Sequence, residues 1–328
     1  MPIQQLFNKR QWMCLVLSAL ALTGAPAQAE LRPGDAFKDC ADCPEMVVVP
    51  AGNFTMGSSA PEQALANAGG LDKTATDREG PQHSVSIKGF AAGRYAVTKG
   101  EFAKFVNAKN YLTDAEQGNG CYGWTGTAWR ADKAYSWRSA GFVQGDDHPA
   151  VCVSWNDAQA YAHWVSQISG KQYRLLSEAE REYAARGGTQ TAFWWGESIS
   201  TAQANYDGSS KTGKPYNGSP TGEYRKATMP VGSFSANPFG LYNVHGNVWE
   251  WTGDCLHQNY SGAPTDGSAW TTACGNHAKV LRGGAWVYTP AVLRAANRSG
   301  DGPNIGFAMN GFRVARSLLA TQSSSQPP

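Results

Sequence analysis

Long apolar runs are scarce in this 328-residue sequence. The one clear run, 12–22, has about eleven residues, whereas roughly 20 are needed to span a bilayer. Lys9 and Arg10 precede the run, and the small-x-small sequence Ala27-Gln28-Ala29 follows it, which is the pattern of a secretory signal peptide. We therefore predict a cleaved leader at residues 1–29 and an exported protein, periplasmic or secreted, with no membrane span after cleavage.

An excess of charge of either sign is also missing. Lys and Arg number 28 and Asp and Glu number 26, so loss of Lys9 and Arg10 leaves 26 of each. Without a basic run, the chain has no electrostatic basis for binding nucleic acid or an anionic membrane. The sequence also lacks a P-loop, a dinucleotide-binding fingerprint in its strand and helix context, and a Ser-His-Asp order.

The cysteines point to disulfides. Removal of Cys14 with the leader leaves an even number, which in an exported protein favours disulfide bonds. The remaining six fall into local groups: Cys40 with Cys43, Cys121 with Cys152, and Cys255 with Cys274. The last two pairs would each close a long loop rich in glycine and tryptophan. The CxxC at 40–43 has a redox or metal motif as its alternative, but no second CxxC completes a zinc site. The connectivity stays open at this point.

The 37 glycines, 12 tryptophans and 13 tyrosines indicate many tight turns held by aromatic side chains. Short strands are predicted at Glu45–Pro50 and His83–Ile87. Thr98, Ser154 and Ser177 each precede an acidic residue three positions on, and therefore predict helix starts. We expect an N-terminal segment with the CxxC at 30–44, one continuous domain at 45–317 and a disordered polar tail at 318–328.

Several longer segments carry a family resemblance when they are taken in order: Met46–Ser58, Gly89–Val106, His148–Val165, Tyr173–Gly188, Asn237–Asp254, and Leu281–Val287 with Asn310–Arg316. Together they resemble the sulfatase-modifying-factor family, whose founding member is the formylglycine-generating enzyme. The resemblance runs through nearly the whole mature chain. It implies an α+β fold, the formylglycine-generating-enzyme variant of the C-type-lectin-like fold, with low regular secondary structure.

The resemblance also implies structural calcium ions, held by the hard oxygen ligands that this cation prefers. The first site maps onto the Asn243 side chain, the Gly246 and Val248 carbonyls and Glu250. A second site maps onto Asn205, the Tyr206 carbonyl, Glu223 and the Arg225 carbonyl, with Glu223 where the family usually has aspartate. The alternative is that Asn243 and Glu250 only form hydrogen bonds within a turn.

The family's catalytic position differs in this chain. The family's enzyme carries two cysteines shortly after its GGS-aromatic motif, and their thiolates bind copper(I), which prefers soft sulfur ligands. The stretch Arg282–Arg294 contains no cysteine, Ala285 replaces the family's serine, and Tyr288 occupies the place of the first cysteine. We therefore expect neither copper nor conversion of cysteine to formylglycine. Whether the chain is an enzyme stays open, because the family is one of oxidoreductases and the copper-binding pair is missing.

Two classes of function remain open. The family includes members without the cysteine pair, such as the periplasmic protein needed for pyoverdine chromophore maturation. It also includes ergothioneine-type sulfoxide synthases, which bind iron through histidines of an added helical domain that has no counterpart here. We expect a maturation or oxidoreductase-like factor acting on a peptide, protein or siderophore precursor. The alternative is a non-catalytic lectin-like module that binds a protein or glycan, and a genuine formylglycine-generating oxidase is the least favoured.

A candidate pocket follows from the same motifs. Its predicted lining residues are Trp249, Trp286, Tyr288, Arg294, Asn297 and Arg298. Aromatic rings and guanidinium groups suit a peptide or an aromatic ligand through stacking and charge-assisted hydrogen bonds. The alternative is that the two tryptophans belong to the core and that the arginines brace loops. His148 and His245 are interpreted as loop-packing residues and not as bases, and a monomer is expected.

Overall fold

The structure, a computed structural model, describes residues 31–209, 215–275 and 277–318. The predicted signal peptide at 1–29 and the predicted tail beyond residue 318 lie outside the described residues. From Arg32 onward, the described residues belong to one compact unit. None of the helices within these ranges is long and apolar enough to cross a membrane.

The secondary-structure elements are short. The strands are β1 (Ala36–Phe37), β2 (Met46–Val49), β3 (Gly52–Met56), β4 (His83–Ile87), β5 (Phe90–Gly93), β6 (Cys121–Trp124), β7 (Trp129–Asp132), β8 (Tyr173–Leu175), β9 (Trp249–Cys255), β10 (Lys279–Arg282), β11 (Arg298–Asp301), β12 (Asn310–Phe312) and β13 (Val314–Ser317). The helices are α1 (Ala60–Ala68), α2 (Lys73–Asp77), α3 (Lys99–Lys109), α4 (Asp114–Gln117), α5 (Trp155–Ser169) and α6 (Glu178–Arg186), with a 3₁₀ turn at Pro290–Leu293. Over the described residues, the contents of about 20% helix and 21% strand confirm an α+β fold with little regular secondary structure.

Two sheets form the framework. The larger has the strand order β1-β2-β5-β13-β8, and all of its pairs are antiparallel. The smaller has the order β11-β10-β9-β12, in which β9 and β12 run parallel. Strand β2 is buried at every position, whereas the predicted strand β4 alternates between buried and more exposed residues. The antiparallel pair β3–β4, whose strands are connected through α1 and α2, and the hairpin β6–β7 lie outside these sheets.

The predicted helix starts are confirmed. Thr98, Ser154 and Ser177 are the N-caps of α3, α5 and α6, and each belongs to a complete capping box. Such a box satisfies backbone N–H groups that have no partner within the first helical turn. Helices α5 and α6 end at Gly170 and Gly187, whose φ angles of 65° and 57° suit glycine.

Aromatic side chains of α3 and α5 build the main hydrophobic core. Phe102 packs edge-on against Phe105 and Phe312, with ring centroids 5.5 and 6.2 Å away. Tyr161 of α5 packs against Phe312 and Trp164, at 5.3 and 5.6 Å. The core therefore joins these helices to strand β12 and holds the smaller sheet in place.

Helix α6 does not follow the usual amphipathic pattern, because all of its residues are buried. Its charged side chains are paired: Arg181 with Glu250 at 2.7 Å, Glu182 with Arg186 at 2.8 Å, and Glu182 with Arg282. Buried charges are tolerated only when they are paired and hydrogen-bonded. The helix is thus an ionic core element that packs between the smaller sheet and the β3–β4 strand pair.

The three disulfides suggested by the local grouping of cysteines are confirmed: Cys40–Cys43, Cys121–Cys152 and Cys255–Cys274. The first shows that the CxxC is a disulfide. The second ties the start of β6 to the segment before α5, and the third joins the end of β9 to the loop before β10. Two of the bridges therefore fix loops around the smaller sheet.

Candidate functional site

The stretch after β10 forms a tight loop that the resemblance links to the family's reaction centre. Gly283 and Gly284 have φ angles of 98° and 73°, which L side chains rarely adopt. A Cβ at Gly284 would lie 3.0 Å from atoms of the Leu293 side chain, so the loop closes against its own end. The backbone N–H of Trp286 donates to the Asn247 carbonyl at 3.1 Å and anchors the loop to the turn before β9.

Tyr288 occupies the centre of this loop. Its ring packs edge-on against Trp249, with centroids 5.7 Å apart. Burial raises the pKa of the Tyr288 phenol, and a hydrogen bond with the Trp249 side chain opposes that shift. The Tyr288 carbonyl accepts a hydrogen bond from the Asp207 backbone N–H at 2.9 Å. The phenol is therefore neutral at physiological pH and can donate or accept a hydrogen bond, whereas a phenolate nucleophile is disfavoured.

A cavity of about 430 Å³ lies beside this loop. Its aromatic lining consists of Trp124, Trp129, Phe142, Tyr224 and Trp286, and Val287, Ala308, Asp207 and Lys226 complete most of the wall. The cavity therefore includes Trp286 from the predicted pocket and adjoins Tyr288 through its neighbour Val287. Its size is within the range of small-molecule sites.

Sequence reasoning missed the other aromatic residues of this cavity. Trp124 and Trp129 come from the β6–β7 hairpin and Phe142 from the loop that follows, all between the disulfide partners Cys121 and Cys152. The concentration of tryptophan in that disulfide-closed loop was the available signal. Only folding brings the loop against Trp286, 5.4 Å from the Phe142 ring.

The arginines of the predicted pocket lie elsewhere, which corrects the sequence prediction. The Arg294 guanidinium makes two hydrogen bonds to Glu79, at 2.6 and 2.9 Å, and the Asn297 amide donates to Glu79 at 3.0 Å. Arg298 makes two hydrogen bonds to Glu178, at 2.6 and 2.8 Å. Arg294, Asn297 and Arg298 are all at most 3% exposed. They join segments of the ionic core, because a guanidinium this deeply buried requires a carboxylate partner.

The two tryptophans of the predicted pocket differ in role. Trp249 is 3% exposed and belongs to the main core. Trp286 is also largely buried, and its indole N–H donates to the Ala308 carbonyl at 3.3 Å, but one part of its ring lines the cavity. Trp286 therefore lies between the core and the cavity, whereas Trp249 packs against Tyr288 within the core.

In the first predicted calcium turn, the Asn243 amide has no partner within the described part of the chain, whereas the Glu250 carboxylate is already paired. Among the described residues, neither the Oδ1 nor the Nδ2 atom of Asn243 has a hydrogen-bond partner, although both atoms are buried. Glu250 lies between two arginines: it accepts from Arg181 at 2.7 Å and from Arg313 at 2.9 and 3.1 Å. The unpartnered amide suits an oxygen-seeking cation. The Glu250 carboxylate uses three acceptor positions of roughly four, so it keeps capacity for about one further ligand.

Gly246 and Val248 provide the main-chain part of this turn. The Gly246 carbonyl accepts a hydrogen bond from the Val248 N–H at 2.9 Å. Gly246 has a φ of 77°, and a Cβ there would lie 2.5 Å from the Asn205 carbonyl oxygen. Only glycine therefore allows this turn to approach the segment that contains the second predicted site.

The second predicted site also contains an unpartnered amide oxygen. Asn205 is fully buried, and its Nδ2 donates to the Ala227 carbonyl and to Asn247, at 2.9 and 3.0 Å. Its Oδ1 has no partner in the part of the chain that the structure describes. The Glu223 carboxylate is 61% exposed and pairs with the Arg225 guanidinium at 2.9 Å. No group of three or more His, Cys, Asp or Glu side chains that could hold a metal occurs within the described ranges.

Tyr206, whose carbonyl was assigned to this second site, is itself a core residue. Its side chain is fully buried and its hydroxyl donates to the Ile199 carbonyl at 3.4 Å. Burial raises the pKa of the Tyr206 phenol to about 12. The side chain therefore fixes the backbone around Asn205 and takes no part in ionisation near neutral pH.

His245 and His148 both lie in loops. His245 is buried; its Nδ1 lies 2.8 Å from the Leu293 carbonyl, and its Nε2 accepts from the Trp194 N–H at 3.3 Å. Burial lowers the His245 pKa to about 3. His148 lies 2.9 Å from the Thr228 hydroxyl, and burial also lowers its pKa. A buried neutral imidazole with both nitrogens engaged is a structural group, and His245 meets that description.

The two sheets, the Asn243–Glu250 turn and the Gly283–Gly284 loop together define an α+β protein of the sulfatase-modifying-factor type. A model described as the Sulfatase-modifying factor enzyme 1-like domain matches residues 32–318. Formylglycine-generating enzyme from Mus musculus is 33% identical, over 84% of this chain and 76% of that protein. The Mus musculus protein named Inactive C-alpha-formylglycine-generating enzyme 2 is 30% identical, over 84% of this chain and 86% of its own.

A solved structure, PvdO from Pseudomonas aeruginosa, has a TM-score of 0.69 and 38% identity, and the match covers 88% of this chain and 100% of that one. This similarity confirms the expected fold. The chain belongs to the formylglycine-generating-enzyme family. The relatives include proteins named for the activity and proteins named as inactive, so family membership alone does not assign a reaction.

Proposed function

We propose that this protein is a maturation factor that modifies a peptide or small-molecule precursor of the siderophore type, by chemistry that uses no thiol pair. The observation that carries the proposal is the cavity beside Tyr288, lined by Trp286 and Val287 of the loop that corresponds to the family's reaction centre. The relatives named Formylglycine-generating enzyme support the substrate class that the family resemblance implies, a peptide or protein.

The chemistry available at this loop supports the exclusion of thiol catalysis. The six cysteines at positions 40 to 274 are joined in disulfides. A disulfide sulfur is not a thiolate and therefore cannot act as the soft ligand that copper(I) requires. Tyr288, held by Trp249, supplies a neutral phenol in place of the family's first thiol. A phenol of raised pKa can position a substrate through a hydrogen bond or pass on a proton.

Structural calcium is part of the proposal. The Oδ1 atoms of Asn243 and Asn205 are hard oxygen donors, and both are buried without a partner among the residues described. An unsatisfied buried acceptor costs roughly 1–3 kcal/mol, a cost that a bound cation would remove. In each of the two sites, the asparagine oxygen and the main-chain carbonyls of the same turn would form a protein cage around calcium. Such a cage supports the loop and leaves no open position for chemistry.

The proposed location is the periplasm or the extracellular space. Three disulfides occur among the residues that the structure describes, and disulfides are typical of an oxidising compartment. The secretory pattern in the first 29 residues supports the same conclusion. We further propose that the mature protein acts as a monomer and that nucleic acid is not among its partners.

A deletion strain provides the main test of this function. We would compare the exported peptides and small molecules of wild-type, deletion and complemented strains of the native host by mass spectrometry. A precursor that accumulates only in the deletion strain is the expected result. An unchanged set of products would contradict the proposal and favour a non-catalytic binding module.

A biochemical assay tests the absence of thiol chemistry. The purified protein would be incubated with a cysteine-containing peptide and oxygen, and its metal content would be measured. We expect calcium, no formylglycine product and no oxygen uptake. One equivalent of copper together with formylglycine would contradict the proposal.

A Tyr288→Phe variant tests the phenol itself. We expect this variant to fail in complementation and to lose roughly 1–3 kcal/mol of stability, because the buried Trp249 indole loses its hydrogen-bond partner. The Tyr173→Phe variant is the matched control, because Tyr173 is a buried tyrosine outside the loop and the predicted calcium sites, and the change also removes one hydrogen bond, to Asp39 at 2.7 Å. Full complementation by Tyr288→Phe would show that the phenol has no part in the function.

A further inference from the structure

The cavity beside Tyr288 has an unusual aromatic density. The Trp286 ring forms part of the cavity wall and packs against Phe142, Trp129 and Tyr224, with ring centroids 5.4, 6.1 and 6.2 Å away. The Tyr224 ring is nearly parallel to Trp286, at an interplanar angle of 22°. These contacts hold the rings in fixed orientations, so a ligand would meet a preformed surface and pay little ordering entropy.

One ring of this set is exposed. Trp124 lies at the rim, 6.2 Å from Trp129, and is 51% exposed. The Cys121–Cys152 disulfide fixes the first strand of the hairpin that carries both tryptophans. A large indole held in water on a braced hairpin, next to a ring-lined cavity, is a typical anchor for a ligand.

The charge at the rim narrows the class of ligand. Two charged residues line the cavity: Lys226, which is exposed, and Asp207, which is buried and accepts a hydrogen bond from the Ser209 N–H at 2.9 Å. The Lys226 φ angle of 59° is in the left-handed region, which costs a non-glycine residue of order 1 kcal/mol or more. Residues held in such sparsely populated conformations are concentrated at ligand-binding and active sites. A lysine ammonium at this position attracts an anionic group on a ligand whose ring enters the cavity.

We propose that this cavity binds a planar aromatic ring bearing an anionic group, with the ring against Trp124, Trp129 and Trp286 and the anion paired with Lys226. The volume of about 430 Å³ accommodates one ring system with its substituents. This inference rests on the proposed function only in assigning the precursor to this cavity. It specifies the part of the precursor that the protein recognises.

Binding of simple probes tests the proposal without any turnover. N-acetyl-L-tyrosine would be titrated into the full mature chain and followed by tryptophan fluorescence and calorimetry. N-acetyl-L-tyrosinamide removes the anion, and N-acetyl-cyclohexylalanine keeps the anion but replaces the aromatic ring. We expect each of these two probes to bind about five- to tenfold more weakly than N-acetyl-L-tyrosine.

Variants locate the binding site. Trp124→Ala should weaken N-acetyl-L-tyrosine about fivefold or more, and because Trp124 is exposed, the variant should fold normally. Lys226→Gln should remove the preference for the anionic probe over the amide. Lys88→Gln is the matched control, since Lys88 is an exposed lysine that lines a different cavity.

Several outcomes would overturn the ring proposal. These are absence of binding by N-acetyl-L-tyrosine, equal affinity for the cyclohexyl probe, or an equal effect of the two lysine variants. If the probes fail while the deletion strain still accumulates a precursor, only the ring proposal is wrong. If the probes bind as expected while no precursor accumulates, the proposed maturation function is wrong and the cavity remains a binding site for aromatic anions.

Discussion

Replacement of Arg294 by alanine distinguishes a structural role from a binding role. The Arg294 guanidinium is fully buried and neutralises Glu79, at 2.6 Å, and Glu62, at 3.0 Å. Removal of one partner of a buried ion pair leaves an uncompensated charge, at a cost of roughly 3–5 kcal/mol. For a domain of this size, about 1 kcal/mol shifts the melting temperature by roughly 2–4 °C, so we expect a fall of roughly 6–20 °C.

The pH dependence of this variant gives a second signature. Burial raises the pKa of Glu62, and Arg294 is the main influence that opposes this shift. Without Arg294, the pKa of Glu62 rises further. A carboxyl whose pKa is higher in the folded state destabilises the fold when ionised, and that stability is recovered as the pH falls through the folded-state pKa. The difference in melting temperature between variant and wild type should therefore shrink as the pH falls from 7 toward 5.

The assay is thermal unfolding of the full mature chain, followed by circular dichroism at several pH values. Lys104→Ala is the control, because Lys104 forms an exposed ion pair with Asp42, at side-chain exposures of 53% and 59%. Pairs of this kind contribute about 0–1 kcal/mol. If Arg294→Ala has the melting temperature of wild type and loses ligand binding, Arg294 belongs to a pocket and the structural argument is wrong.

Three further predictions concern calcium, pH and the disulfides. Asn243→Ala should abolish the rise in melting temperature on adding calcium, and a calcium response retained by this variant would exclude the site. Glu250→Ala is a poorer test, because it also leaves two buried arginines without their carboxylate partner. Burial raises the pKa of Asp254 to about 7, so ionised Asp254 destabilises the fold. As the pH falls from 7 to 4, wild type should therefore gain more unfolding free energy than Asp254→Asn, and an equal gain for both proteins in denaturant titrations would refute this. Replacing Cys121 and Cys152 by serine should cost about 3–4 kcal/mol on chain entropy for a separation of 31 residues, measured by chemical denaturation, and a loss below about 1 kcal/mol would contradict it.

Features decided by neighbouring residues were predictable from the sequence. The capping boxes that begin α3, α5 and α6 depend on a hydroxyl and a carboxylate three positions apart, and all three are confirmed. The local grouping of the cysteines suggested the disulfide pairs but left their connectivity open, and the alternation in β4 follows from one exposed face. The ordered family segments predicted the fold, because their spacing through the chain preserves the same elements.

The positions of individual charged and aromatic side chains depend on residues far apart in the chain. Arg294 meets Glu79 across 215 residues and Arg298 meets Glu178 across 120, so the sequence could not distinguish a pocket lining from an ionic core. The cavity likewise combines rings from the β6–β7 hairpin with Tyr224 and Trp286. Local propensity determines where elements begin and end, whereas the burial of a charge and the assembly of a cavity depend on distances that exist only after the chain has folded.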